Sequence, residues 1–230
     1  MTYKEILEKL ESLKNAKHAK GIARFGIKPK TKVYGIRIPK LRKIAKQIGK
    51  DHNLALKLWD TKIHEARLLA GFIDEIDKVT KKQFEKWVGT FDSWDVCDQV
   101  CGNLFDKTNF VYEKIFELSK RKEEFVKRTA FVLMACLAVH NKIMKDEYFL
   151  KFFPLIKKES VDDRNFVKKA VNWALRQIGK RNKNLNKKAL KLAKEILYMG
   201  EKINSKSAKW IASNAIIELE SLKIQQKFVL

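Results

Sequence analysis

Apolar residues recur along this chain at the three- and four-residue intervals of amphipathic helices, in short segments separated by polar breaks. The first such segment covers residues 2–15, and another begins at Pro39, because proline is favourable in the first turn of a helix. Between them, residues 16–38 form a basic, less periodic connector that glycine and proline interrupt. The pattern predicts helices and no strands.

From residue 53 onward the pattern predicts a series of helix pairs. The predicted pairs are 53–59 with 62–74, 80–90 with 94–106, 110–119 with 123–140, 146–157 with 164–179, and 186–198 with 205–222. Arg128, Lys169 and Trp210 lie at similar places in their second helices, 41 residues apart. A two-helix period near this length is typical of HEAT or armadillo repeats, which stack into an α-solenoid whose second helices line a concave groove. We therefore predict an all-α solenoid and one domain over residues 1–230, with an irregular helical bundle as the alternative.

Composition agrees with a helical protein, since the 230 residues include only nine Gly and three Pro. The apolar runs are shorter than the ~18 residues of a membrane span, and the start lacks the apolar core of a signal peptide. Cys97, Cys101 and Cys136 all lie in apolar helical segments, which favours reduced thiols over a disulfide or metal site. We expect a cytoplasmic monomer without metal or cofactor.

Charge is the strongest compositional signal, because 50 Lys and Arg against 27 Asp and Glu give a net charge of +23. Such an excess indicates nucleic acid or another anionic surface as a partner, although a lysine-rich proteome or life at high temperature could also produce it. Arg37, Lys40 and Arg42 cluster at the start of the helix near Pro39. Cations there oppose the helix dipole, so we predict that they bind a polyanion.

The segment 91–101 contains the first candidate site. Ser93 is a good N-cap, and the helix that it starts has a single apolar stripe consisting of Val96, Cys97, Val100, Cys101 and Leu104. Trp94 and Asp98 lie together, one turn apart, outside that stripe. They are either a functional aromatic–carboxylate pair or a boundary Trp beside a solvated Asp, and Asp95 is the fallback carboxylate.

Two later helices carry further candidates. Phe166 and Trp173 share a face of helix 164–179 that lies off its core stripe, together with Lys169 and Arg176. Aromatics mixed with cations suit a nucleic-acid groove, and packing against the neighbouring repeat is the alternative.

Arg128 stands at the start of a nearly continuous apolar run and therefore needs a partner. That partner could be Asp98, a phosphate, or both in turn, and a structural Arg–carboxylate pair between repeats is equally compatible with the sequence.

Trp94, Asp98, Arg128 and Trp173 lie on successive second helices and could converge in one basic groove. The sequence offers no Ser-His-Asp set, Gly-rich phosphate loop or metal-ligand set. A single carboxylate among aromatics suits the stabilisation of a cation, such as the oxocarbenium-like sugar formed when a glycosidic bond breaks.

The segments Trp94-Asp-Val-Cys-Asp98, Lys127-Arg128-Thr-Ala, 166–176 and Tyr34-Gly-Ile-Arg-Ile-Pro39 together resemble the AlkD family of HEAT-like-repeat DNA glycosylases, in order and over nearly the whole chain. The resemblance implies excision of N3- and N7-alkylated purines from duplex DNA without base flipping. It implies Asp98 as the catalytic carboxylate, Arg128 as the active-site arginine, and Trp94 and Trp173 as the aromatics around the deoxyribose. Asn172 departs from the family pattern, where a smaller residue is expected.

Two other functions stay open at this point. Related HEAT-like-repeat proteins bind DNA without glycosylase activity, so a non-catalytic protein that binds DNA or RNA is the first alternative. The second is a protein-interaction scaffold whose charge only reflects its proteome.

Overall fold

The computed structural model describes residues 1–228, which are mainly helical, with one isolated bridge between Lys32 and Ile63. The chain divides into two compact units, Met1–Val111 and Tyr112–Leu230. Each unit is built from helix pairs, and we describe each by itself. A single domain over residues 1–230 stays a prediction.

The first unit contains seven helices with short connections. They are α1 (Tyr3–Ser12), α2 (Ala16–Gly21), α3 (Ile38–Ile48), α4 (His52–Trp59), α5 (His64–Ile73), α6 (Lys81–Gly89) and α7 (Trp94–Asn103). Single turns of tighter 3-10 helix follow α2, α5 and α7 at Ile22–Phe25, Ile76–Lys78 and Phe105–Lys107. Side chains cap several starts, including Thr2 in a full capping box and Asp51 and Thr80 in simple caps.

Aromatic packing holds the core of the first unit together. Trp59 and Trp87 are fully buried and stack with ring centroids 4.0 Å apart, and Phe84 packs 4.5 Å from Phe105. Helix α5 lies close against α7 because Gly71 has no side chain there. A Cβ at that position would lie 2.9 Å from Val100 Cγ2, which is too close for an ordinary contact.

Helix α8 (Val111–Leu118) begins at the boundary, and the described part of the second unit, up to residue 228, continues with seven more helices. They are α9 (Glu124–His140), α10 (Asp146–Leu150), α11 (Phe153–Glu159), α12 (Asn165–Gly179), α13 (Lys183–Lys202), α14 (Lys206–Glu220) and α15 (Leu222–Gln225). Helix α12 packs between α9 and α14, and α13 pairs with α14. Asn172 explains one of these contacts, because its buried Nδ2 donates to the Ile211 carbonyl at 3.1 Å and so joins α12 to α14.

The predicted helix pairs and the stripe of α7 are confirmed, with four corrections. The first helix ends at Ser12 rather than residue 15, and the connector 16–38 contains α2, which Asn15 caps through the His18 amide. The segment 146–157 is two helices, because the chain turns at 151–152 and Pro154 starts α11. Ser93 occupies the N-cap position of α7, but its side chain makes no capping hydrogen bond.

All three cysteines are buried within helices, as predicted. None of the helices among the described residues is both long and apolar enough to cross a membrane. Within residues 1–228, no cluster of three His, Cys, Asp or Glu side chains could hold a metal ion.

Candidate functional site

Trp94 and Asp98 lie at the edge of the buried face of α7, as the sequence predicts. Both are partly exposed, whereas Val96, Cys97 and Val100 are completely buried. The packing of α7 therefore depends on its stripe, and the Trp94–Asp98 pair lies beside the core rather than within it.

The indole of Trp94 is held in place by the N-terminal connector. Its Nε1 donates to the carbonyl of Phe25 at 3.0 Å, at the end of the turn Ile22–Phe25. Phe25 itself is 59% exposed, and the Arg24 guanidinium lies 4.8 Å from its ring centroid. An exposed aromatic and a cation thus adjoin Trp94. Sequence reasoning missed Phe25 because it lies in an aperiodic segment.

A buried ion pair fixes the start of α7. His64 Nε2 lies 2.8 Å from Asp95 Oδ2, and the two side chains are 3% and 14% exposed. Burial alone would lower the pKa of His64, but the hydrogen bond and charge of Asp95 outweigh it and raise that pKa. Burial likewise opposes ionisation of Asp95, yet the bond to His64 lowers its pKa. Asp95 is therefore held by His64, and Asp98 is the other carboxylate of α7.

Two further carboxylates hold the basic connector against this region. Asp92 accepts from the backbone amides of Lys30 at 2.9 Å and Thr31 at 3.3 Å. Glu65, only 1% exposed, accepts from three successive amides, with N–O distances of 2.9, 2.6 and 3.2 Å for residues 34, 35 and 36. Gly35 is required there because its φ is +76° and a Cβ would lie 2.3 Å from the Asn15 carbonyl.

The positive charge of the first unit is concentrated in one stretch. Residues 12–50 contain thirteen Lys and Arg and no acid. Arg37 and Lys40 are exposed at the start of α3, as a phosphate-binding role requires. Arg42 is exposed but tied to α7, because its guanidinium donates to Gln99 at 3.0 Å and Asn103 at 3.1 Å. It therefore also joins α3 to the helix that carries Asp98.

In the second unit, Arg128 is 5% exposed and has a partner that the sequence did not suggest. Its Nη1 donates to the Phe166 carbonyl at 2.5 Å, and the rings of Phe125 and Phe166 stack 5.4 Å apart. Phe166 thus makes a packing contact within the unit and is also partly exposed, so its binding to DNA stays a prediction. The contact joins α9 to α12 and fixes one terminal nitrogen of the guanidinium.

The remaining predicted residues of α12 differ in exposure and partners. Lys169 is exposed and Trp173 is partly exposed. Arg176 forms an ion pair with Glu218, which Lys180 Nζ also contacts at 2.6 Å. Burial opposes ionisation of Glu218, but these two cations lower its pKa. Arg176 is therefore neutralised in part, and Lys169 is the better placed phosphate ligand.

A family model described as DNA alkylation repair enzyme matches residues 6–217 of the chain. The chain belongs to this DNA alkylation repair family. The match extends over nearly all of both units and agrees with the resemblance found in the sequence. DNA alkylation repair is therefore the functional class of this protein.

A solved structure supports the same fold for this DNA alkylation repair protein. It is described as a new family of proteins related to the HEAT-like repeat DNA glycosylases with affinity for branched DNA structures. The two chains are 20% identical, the match covers 85% of this chain and 83% of that chain, and the TM-score is 0.75. This likeness confirms the all-α HEAT-like repeat fold. No curated protein sequence matches the chain.

Proposed function

We propose that this DNA alkylation repair protein is a glycosylase that excises N3- and N7-alkylated purines from duplex DNA. The observation that carries the proposal is the Trp94–Asp98 pair, which is partly exposed, lies outside the core stripe of α7 and belongs to a chain of this family. A partly exposed carboxylate beside the core stripe, placed one turn from an indole, is suited to a reacting centre.

The chemistry asks for little more than stabilisation of positive charge. An N3- or N7-alkylated purine is already cationic, so its glycosidic bond breaks with the electron pair leaving on the base, which becomes neutral. The deoxyribose is left as an oxocarbenium-like cation, and water adds to C1′ and loses a proton. Asp98 stabilises that cation electrostatically and the indole face of Trp94 does so by cation–π attraction. No deep base pocket is needed, so the lesion can stay stacked.

Arg128 and Trp173 of the second unit are assigned matching roles. A guanidinium, with several N–H donors, is suited to a DNA phosphate, and Trp173 supplies a second aromatic surface for the sugar. Arg37, Lys40 and Lys169 bind backbone phosphates, which carry no sequence information and suit an enzyme that meets lesions anywhere. We further propose that the protein acts as a cytoplasmic monomer without a cofactor.

A second function has a specific observation in its favour. The related solved structure is described by affinity for branched DNA rather than by excision. Under this alternative, the protein binds DNA without cleaving a glycosidic bond, and Asp98 and Arg128 serve the structure.

Substitution of Asp98 separates the two functions. We expect Asp98→Asn to slow release of 7-methylguanine from a methylated duplex by at least about 100-fold, because the charge that stabilises the sugar cation is lost. Binding to the same duplex should be kept or tightened, since one repulsion of phosphate is removed.

The matched control is Asp77→Asn, which removes the same charge from an exposed 3-10 turn. Circular dichroism establishes equal folding of the variants. Equal excision by Asp98→Asn and Asp77→Asn would contradict the assigned role of Asp98. Unfolding of Asp98→Asn alone would support the structural role.

A further inference from the structure

Trp210 is an exposed aromatic that the proposed excision chemistry does not use. It is 41% exposed, although the residues beside it on α14, including Ala208 and Ile211, are completely buried. The exposed residues of α14 recur at three- and four-residue intervals and thus form one face of the helix. They are Lys206, Trp210, Ser213, Ile217 and Glu220.

The surroundings of Trp210 are cationic. Lys168 of α12 places its Nζ 5.3 Å from the centroid of the indole ring, and Lys206 lies one turn before Trp210 on the same face. Between Glu201 and Glu218 the chain contains three lysines and no acid. The lysines nearest to this indole along the chain therefore have no acid beside them in residues 202–217, and they favour an anionic ligand over a neutral molecule.

We propose that Trp210, with Lys168 and Lys206, binds an unpaired nucleotide of a DNA strand next to a duplex. The indole supplies a flat surface on which a base can stack, and the ammonium groups meet its flanking phosphates. Bases within a duplex have both faces covered by their neighbours, so only an unpaired base, at a gap, a flap or a strand end, can use this surface. The proposal rests on the proposed binding of DNA.

Tyr198 is a second exposed aromatic, and it shows why exposure alone does not predict a base-stacking site. It is 60% exposed and Lys202 lies 4.6 Å from its ring centroid, so it reproduces the aromatic–lysine pair on α13. However, α13 also carries Glu195 and Glu201, and Lys194 pairs with Glu220 at 3.2 Å. The cations near Tyr198 are thus partly neutralised, and Tyr198 provides a matched control.

The test compares the affinity for a blunt duplex with that for the same duplex carrying a short single-stranded tail. Fluorescence anisotropy at fixed salt gives both constants. We expect the wild type to prefer the tailed duplex, and Trp210→Ala to lose roughly 5- to 150-fold in affinity for it, the range found for one base–aromatic stack. Trp210→Phe should keep most of the preference, Lys168→Gln should weaken it, and Tyr198→Ala should leave it unchanged. Affinity for the blunt duplex should stay the same in every aromatic variant.

Three results would overturn the proposal: no preference of the wild type for the tail, an equal loss by Trp210→Ala on both DNAs, or the same loss by Tyr198→Ala. Excision of 7-methylguanine from the blunt duplex is measured with the same proteins. If excision is absent while the tail preference depends on Trp210, the proposed function fails and the site stands. If excision is normal but the wild type shows no preference for the tail, the proposed function stands and the Trp210 site fails.

Discussion

Glu65 is expected to be the most important polar residue for the position of the basic connector. Its Oε1 accepts from the Gly35 and Ile36 amides at 2.6 and 3.2 Å, and its Oε2 accepts from the Tyr34 amide at 2.9 Å. In Glu65→Gln, the amide oxygen can replace Oε1, but the NH₂ group must then face the Tyr34 N–H, where two donors meet.

The magnitude follows from these three bonds. The hydrogen bonds from the Gly35 and Ile36 amides remain but change from charge-assisted to neutral, which costs about 1 kcal/mol each. The buried Tyr34 amide loses its acceptor, which costs about 1–3 kcal/mol. We therefore expect Glu65→Gln to lower the free energy of unfolding by about 3 to 5 kcal/mol. Urea denaturation measures this loss, and hydrogen exchange of the amides of residues 34–36 measures its local part.

Glu75→Gln is the control for this prediction. Glu75 also accepts from a backbone amide, that of His52 at 3.1 Å, but its side chain is 32% exposed and water can replace the lost interactions. We expect a change below about 1 kcal/mol there. A similarly small loss for Glu65→Gln, with unchanged exchange of the three amides, would refute the claim that Glu65 organises the connector.

Three further predictions concern the start of α7 and the DNA complex. The pKa of His64 is raised by Asp95, so the stability that this pair contributes is complete below the unfolded pKa near 6.5 and is lost as pH rises through the higher folded pKa. His64→Gln should flatten this fall in the free energy of unfolding, which urea titrations at a series of pH values above about 6.5 measure. Trp94→Phe keeps an aromatic ring but removes the hydrogen bond to the Phe25 carbonyl, so it should lower the free energy of unfolding in urea by about 1 kcal/mol. Hydrogen exchange of the amides of residues 22–26 should become faster, and unchanged exchange would contradict the anchoring role of Trp94. Duplex affinity should fall roughly 1,000-fold or more between about 50 and 200 mM salt if six or more phosphates are bound, and a flat salt titration would contradict a phosphate-dominated interface.

The sequence predicted the parts of the fold that depend on local periodicity. The stripe of α7 is visible as Val96, Cys97, Val100 and Cys101, and it is buried as expected. The same reasoning placed Trp94 and Asp98 off that stripe, which the structure confirms.

Long-range polar contacts could not be read from periodicity. Glu65 sits within an apolar helical segment, and nothing local shows that its partners are amides thirty residues earlier. The hydrogen bond from Trp94 to Phe25 joins residues 69 positions apart. Arg128 of α9 donates to the Phe166 carbonyl of α12, which is separated from α9 in the sequence by two further helices. Every residue has a backbone carbonyl, so the residue types do not show which carbonyl accepts a hydrogen bond. Sequence reasoning could therefore propose only a carboxylate or a phosphate as a partner of Arg128.

The residues predicted to bind DNA fall into two groups, those whose exposure the helix pattern predicted and those with long-range partners. Arg37, Lys40 and Lys169 are exposed, as their positions at helix starts or off the stripe predicted. Phe166 and Arg176 are partly exposed and also make packing and ion-pair contacts within the second unit, with Phe125 and with Glu218. The partners of Phe166 and Arg176 lie on other helices, so the pattern of α12 alone could not reveal them.

The most direct test of the account is the chemistry of the wild-type protein on two lesions in one duplex sequence. We expect release of free 7-methylguanine with formation of an abasic site and no strand break. We expect no release of uracil, because uracil would leave as an anion, whereas the carboxylate and tryptophans assigned to the site stabilise the positive charge on the sugar and do not assist an anionic leaving group. Failure to release 7-methylguanine, with tight and salt-dependent binding to the same duplex, would contradict the glycosylase and support DNA binding without excision.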